Sequence, residues 1–253
     1  MTQIPKILHY CWFGPKPLPQ LARQCLESWK EHCPDYEIKL WSEENSTPYF
    51  NTFCKQAFRE KKYAFVSDCV RVKVLNAFGG FYLDTDMMIV KPIDELCKYS
   101  FFSAYEVPGR VAYGFFGGIA EQRFFELMED FYDNNYFNRY SLPVITHTFK
   151  EHINSAALKE NEVLFPADFC YPMTFQQREE DYRKFITPNT YAVHLWDHSW
   201  QPERKESLGW LVRHLLKVHG DFYFHKYPKA YLRRYRKEFA RKIYHKLIRR
   251  KSA

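Results

Sequence analysis

Asp84-Thr85-Asp86 is the residue pattern in this 253-residue chain best suited to chemistry. Residues i and i+2 of a strand point to the same side, so the two carboxylates can aim at one point while Thr85 faces away. Alone, two aspartates would repel an anionic diphosphate. A divalent cation between them turns repulsion into attachment, and oxygen ligands suit Mg²⁺ or Mn²⁺. The same cation can neutralise a departing diphosphate. The pattern is weak by itself, because an Asp-x-Asp arises by chance about once in two chains of this composition. A solvated turn would read the same way. The setting favours the site: Phe81-Tyr82-Leu83 reads as a buried strand running into the pair, and Met87 to Val90 as a strand leaving it.

Strands and helices alternate around the pair. Ile7 to Phe13 is an apolar run ended by Gly14-Pro15, which predicts a buried first strand. Leu18, Leu21, Ala22, Cys25, Leu26 and Trp29 share one face of a helix over 18–32. Tyr36 to Trp41 alternates like a strand, and 52–60 is helical in pattern. Tyr63 to Phe78 predicts a strong helix stopped by Gly79-Gly80. Asp68 and Arg71 stand at i and i+3 on it, so they share a face and can pair. Further on, strands over 101–105 and 113–119 flank Pro108-Gly109. A helix follows over 122–132, then short strands over 163–165 and 191–194, and a last helix from Pro228 to about Arg250. The alternation predicts an α/β fold with a mainly parallel central sheet flanked by helices. Ligands gather at the carboxyl ends of such strands, where Asp84 and Asp86 fall.

The length suits one α/β domain with an appendage, expected as residues 1–225 and a basic amphipathic helix over 226–253. Residues 226–251 hold twelve Lys/Arg against Glu238, a charge of +11 out of a total of +7, so the rest of the chain is mildly acidic. The seven cysteines include no C-x-x-C and show no zinc spacing, which argues against a disulfide framework and for a reducing cytosol. No signal peptide is expected from the first ten residues. The longest uncharged apolar stretch, 111–120, is too short to span a bilayer.

Phe65-Val66-Ser67-Asp68-Cys69-Val70-Arg71 through Gly79-Gly80-Phe81-Tyr82-Leu83-Asp84-Thr85-Asp86 resembles glycosyltransferase family 32, whose sugar-binding region holds an Asp-x-Asp motif. That family includes capsular-polysaccharide synthesis enzymes and initiating mannosyltransferases, and is distantly similar to the large glucosylating bacterial toxins. Three more blocks agree in order: Ile4 to Gly14, Ser28-Trp29 with Cys33-Pro34-Asp35-Tyr36, and Ala192-Val193-His194 with Ser199-Trp200. The resemblance implies a GT-A-type, Rossmann-like fold, a UDP- or GDP-sugar donor, Mn²⁺ or Mg²⁺, and retention of anomeric configuration. Carried over by position, it implies that Trp12 stacks on the nucleobase and that Asp68 and Arg71 hold donor-sugar hydroxyls. Tyr82 and Asp84 would lie against the donor, Asp84 near ribose and metal. Asp86 would bind the metal, His194 or Ser199 would complete the site, and Trp200 would close over the diphosphate. Leu195 and His198 depart from the family pattern, so the third metal ligand stays open between His194 and its neighbours.

Leu232, Tyr235, Phe239, Ile243 and Leu247 recur every three to four residues of the last helix, with Arg and Lys on its other faces. A basic helix with such a stripe fits an anionic membrane surface, or packs on the enzyme body. No nucleic-acid module is present. The expected partners are therefore a nucleotide-sugar donor, a glycan or lipid-linked acceptor in surface polysaccharide synthesis, and an anionic membrane met through 226–251. The expected location is cytoplasmic, peripheral on the inner face of the cell membrane. Two alternatives use the same residues: a metal-dependent phosphodiesterase or nuclease, and a non-catalytic membrane-associated partner in polysaccharide assembly.

Overall fold

The computed structural model describes residues 3–137, 142–197, 207–225 and 229–249. They fall into two compact units: 1–137 with 144–200, and 201–253 with 138–143.

The first unit is built on a six-stranded sheet. Its strands are β1 (Ile7–Cys11), β2 (Glu37–Trp41), β3 (Gly80–Leu83), β5 (Phe101–Val107), β6 (Arg110–Gly118) and β7 (Glu162–Phe165), in the spatial order β2-β1-β3-β6-β5-β7. β1 pairs parallel with β2 and β3, and β5 parallel with β7; β6 alone runs against its neighbours. This is the mainly parallel sheet the alternation predicts. β4 (Met87–Ile89) and β8 (Ala192–His194) form a separate antiparallel pair, with Met87 opposite His194. The helices are α1 (Gln20–His32), α2 (Glu43–Ser46), α3 (Thr52–Arg59), α4 (Tyr63–Phe78), α5 (Arg123–Asn134) and α6 (Ile145–Thr148).

The sequence explains the placements. β3 is buried at every position, as a strand covered on both faces must be, and α4 is buried on all sides from Phe65 to Leu75 apart from a half-buried Ser67. Burying Lys73 on α4 requires partners, and its Nζ reaches Glu129 at 2.9 Å and Asp133 at 2.8 Å on α5. The Ser28-Trp29 block secures β4. Trp29 Nε1 donates to Met87 O at 2.7 Å, and Ile89 N donates to Ser28 Oγ at 3.1 Å.

His9 on β1 locks the end of α4. Its Nε2 lies 2.9 Å from Gly79 O, and its Nδ1 accepts from Trp41 Nε1 at 3.0 Å. That pattern needs a neutral ring protonated at Nε2. Gly79 and Gly80 have φ of 66° and 104°, and a Cβ on Gly80 would stand 2.7 Å from Ile7 O and 2.9 Å from His9 Nε2. Only glycine fits there. Burial lowers the His9 pKa to about 4. The folded pKa lies below the unfolded one, so the neutral ring contributes stability that is fully present above about 6.5 and lost as pH falls toward 4. We expect His9→Gln to be less stable than wild type at pH 7 in urea unfolding. That gap should shrink by about 3 kcal/mol by pH 4, and a gap independent of pH would refute the assignment.

The second unit contains α7 (Leu208–His225) and α8 (Lys229–Arg249). α7 falls in the same unit as the basic helix, whereas the appendage expected from the sequence starts at 226. Three residues of the expected stripe, Leu232, Tyr235 and Phe239, pack with Val218, Leu215 and Phe222 of α7. Among the described residues no helix is long and apolar enough to cross a membrane.

Candidate active site

Six of the predicted site residues come together at the end of β3. α4 brings Asp68 and Arg71, β3 brings Tyr82 and leads into Asp84, the following turn brings Asp86, and β8 brings His194.

Arg71 is the hub. Its Nη2 lies 3.1 Å from Asp68 Oδ1 and 3.1 Å from Asp84 Oδ1, its Nη1 donates to Tyr113 O at 2.9 Å, and its Nε donates to Ser67 O at 3.3 Å. The guanidinium lies 4.3 Å over the Tyr82 ring, and the Tyr82 hydroxyl donates to Asp84 Oδ1 at 3.2 Å. Tyr82 is buried, so its visible work is to hold Arg71 and Asp84.

Asp86 is fixed from the other side. Its Oδ2 lies 3.1 Å from His194 Nε2 and accepts from Asp197 N at 2.9 Å, while its carbonyl accepts from Leu195 N at 2.9 Å. The backbone here departs from the strand alternation expected of the pair. Residues 84–87 form a turn, with Met87 N donating to Asp84 O at 3.0 Å, so the carboxylates do not converge as i and i+2 of a strand. Pairing β4 with β8 is what brings His194 to them.

The site holds three carboxylates and one permanent cation. Burial raises the Asp68 pKa to about 7, against the pull of Arg71. Asp84 is also raised by burial and by the charge of Asp86, despite Arg71. Asp86 falls below its ordinary value: burial pushes it up, but His194 and two backbone N–H groups outweigh that. Burial opposes charge on His194, yet Asp86 raises its pKa on balance.

This donor set fits a divalent cation. Ligand atoms from Asp84, Asp86 and His194 lie within 4.8 Å of one another. His194 Nδ1 is buried with no hydrogen-bond partner among the described residues. Carboxylate oxygen with imidazole suits Mn²⁺ or Mg²⁺, Mn²⁺ better for the nitrogen.

Trp12 is half-buried in the loop after β1, where its Nε1 donates to Lys16 O at 2.7 Å. The preceding Cys11 faces Arg71, Tyr82 and Asp84, and burial pushes its thiol up to about 12. Ser199, Trp200 and His198 lie outside the described residues.

Three contributors carried no sequence signal that marked them out. The Tyr171 hydroxyl accepts from Gly114 N at 3.1 Å and Phe115 N at 3.0 Å, and its ring sits edge-on to His194 at 5.6 Å. Trp196, with φ of 59°, lies 4.2 Å from the His194 ring and anchors its Nε1 on Met173 O at 2.9 Å. Gly114 sits under Asp84, which donates its N–H to Gly114 O at 2.7 Å. A Cβ on Gly114 would stand 2.9 Å from Asp84 Oδ2 and 3.1 Å from the Tyr171 hydroxyl. We expect Gly114→Ala to cost about 1–2 kcal/mol of stability, but about a hundredfold in donor turnover through displacement of Asp84. Equal turnover in the two proteins would show that this carboxylate need not stay where it is.

The sequence profile described as "Glycosyltransferase sugar-binding region containing DXD motif" matches residues 19–102. That span contains Asp68, Arg71, Tyr82, Asp84 and Asp86, but neither Trp12 nor His194. Among curated proteins, the chain is 28% identical to inositol phosphoceramide mannosyltransferase 2 of Schizosaccharomyces pombe, over 56% of this chain and 42% of that one. It is 25% identical to human alpha-1,4-N-acetylglucosaminyltransferase, over 68% and 55%. It is 29% identical to human lactosylceramide 4-alpha-galactosyltransferase, over 56% and 44%. The chain thus spans about half the length of these relatives.

Proposed function

We propose that this chain, whose residues 19–102 match the profile of a glycosyltransferase sugar-binding region containing a DXD motif, moves a sugar from a UDP- or GDP-linked donor to a hydroxyl of a glycan or lipid-linked acceptor. The observation that carries the reading is the Asp84–Asp86–His194 cluster beside the Asp68–Arg71 pair, at the carboxyl end of a buried strand.

Each part has a physical task. Asp84, Asp86 and His194 would hold Mn²⁺ or Mg²⁺, which supplies positive charge against the leaving diphosphate. Asp68, oriented by Arg71, accepts hydroxyl hydrogens of the donor sugar. Trp12 offers a flat face one residue beyond Cys11, suited to the nucleobase. Ser199 and Trp200 belong to the same proposal on resemblance alone.

Transfer breaks the bond from the sugar's anomeric carbon to the diphosphate oxygen, whose electron pair leaves with the nucleoside diphosphate. The acceptor oxygen forms the new bond, and its proton passes to the departing phosphate. Asp68 and Asp84 are engaged by Arg71, and Asp86 by His194, so none of the three stands free as a covalent nucleophile. Departure and attack on one face of the sugar would need no such nucleophile, so the retention of configuration implied by the resemblance is compatible with this site. The relatives named for action on inositol phosphoceramide and lactosylceramide support a lipid-linked acceptor. The cationic α8 would suit the membrane where such an acceptor is found, which is compatible with a peripheral role in surface polysaccharide synthesis on the inner face of that membrane.

The test is a panel of UDP- and GDP-sugars incubated with the chain and Mn²⁺ or Mg²⁺, reading release of nucleoside diphosphate. We expect slow hydrolysis of one donor that chelation with EDTA abolishes. No turnover and no thermal stabilisation by any nucleotide sugar, with either metal, would end the proposal.

A further inference from the structure

Helices α7 and α8 present a surface that the sugar-transfer site does not use. With Leu232, Tyr235 and Phe239 of α8 packed on one face of α7, α7 remains apolar on a second face. Leu208, Val212 and Leu216 recur at i, i+4 and i+8, and Tyr223 and Phe224 extend the line two turns further on. Exposure grows along it, from 37% at Leu208 and 47% at Val212 to 68% at Leu216 and 83% at Phe224. Exposed Arg213 and Lys217 border the stripe.

A groove of about 350 Å³ adjoins this face, lined by Phe222, Tyr223, Leu232, Arg233, Arg236 and Lys237. Tyr223 belongs to both features. Arg236 donates from Nε and lies within hydrogen-bond reach at Nη2, at 3.0 and 2.8 Å from His219 Nε2, while His219 Nδ1 contacts Leu215 O at 2.8 Å. The His219 ring thereby orients Arg236 and brings no negative charge to cancel its own. Among the described residues, no carboxylate pairs with Arg233, Arg236 or Lys237; the one acid of α8, Glu238, lies 4.0 Å from Lys242.

We propose that the α7–α8 pair docks the protein on an anionic phospholipid bilayer, the Leu216–Phe224 end of α7 entering the acyl boundary while the Arg233–Arg236–Lys237 groove takes a lipid phosphate. In its purpose the proposal rests on the lipid-linked acceptor of the preceding reading, but the surface stands on the residues above. A bilayer stacks a phosphate layer on an acyl layer within a few ångströms, which matches a cationic groove beside an apolar stripe. The charge of +11 over 226–251 is complementary to such a surface. A nucleic acid would meet the cations but leave Val212, Leu216 and Phe224 in water.

The experiment is co-sedimentation of the full chain with vesicles of phosphatidylcholine alone and of phosphatidylcholine mixed with phosphatidylglycerol, at low and high salt. Binding is expected on the mixed vesicles and should weaken with salt. L216D/F224D, at exposed positions, should lower partition about tenfold or more at either salt. R233Q/R236Q/K237Q should lower it on the order of a hundredfold at low salt. Both variants should keep the wild-type circular dichroism and hydrolyse donor in solution at the wild-type rate. Equal binding to neutral vesicles, or unchanged partition of either variant, overturns the proposal. So does self-association abolished by L216D/F224D, or a nucleic-acid complex, in a chain that ignores vesicles. Donor hydrolysis without vesicle binding would sink this proposal alone, and vesicle binding without hydrolysis would sink the transferase reading alone.

Discussion

Asp86→Asn should lower donor hydrolysis about a thousandfold or more at saturating Mn²⁺, with little change in melting temperature. The substitution keeps the volume of the side chain and one acceptor oxygen, so Asp197 N and His194 Nε2, now 2.9 and 3.1 Å from Oδ2, retain a partner. It removes the charge. Of the three carboxylates here, Asp68 and Asp84 share the charge of Arg71, and Asp86 is the one held below its ordinary pKa, so it supplies the firmest negative charge for a cation. His194→Ala should cost less turnover, because two carboxylates would remain. Calorimetric titration separates the steps: Mn²⁺ binding should weaken at least about tenfold in Asp86→Asn. Wild-type metal affinity and wild-type turnover in this variant would contradict the assigned role.

The sequence made the elements of the site more legible than its geometry. α4 and β3 were readable because a buried helix ended by two glycines and an uninterrupted apolar strand are strong local signals. The Asp68–Arg71 contact was readable as i and i+3 on one helix. The reach of Arg71 to Asp84 and to Tyr113 O was not, since it depends on β3 lying beside β6. The closeness of Asp84 and Asp86 was anticipated for a reason that does not hold: a turn, not a strand, carries them. Both strands of the small β4–β8 sheet were legible, but their pairing was not, because they are three residues long and far apart in the chain, and no local pattern encodes it. α7 was missed for another reason. It buries Leu211 and Val218 on one face and exposes Val212, Leu216 and Phe224 on another, so its apolar residues show no single 3.6-residue period.

Arg71→Met should destabilise the protein by about 3–5 kcal/mol, more than any surface change. Arg71 is 7% exposed at its side chain and Asp68 11%, so both depend on each other rather than on water; Asp84, at 32%, recovers part of its hydration and contributes less. Tyr113 O and Ser67 O lose donors as well. Arg71→Lys should rescue only part of the loss, because one ammonium cannot reproduce a fork that reaches two carboxylates and a carbonyl. The pH dependence identifies the cause. Asp68 already has a folded pKa raised to about 7, so its contribution to stability falls as pH rises from the unfolded value toward 7. Without Arg71, which pulls that pKa down, the decline should extend above pH 7, and the gap between wild type and Arg71→Met should widen between pH 6 and pH 8. Adding Asp68→Asn to Arg71→Met should recover part of the stability and flatten that slope. Urea unfolding of the four proteins at the two pH values measures both effects. A gap that ignores pH, or a double variant no better than Arg71→Met, would mean that packing, not the stranded carboxylate, sets the cost.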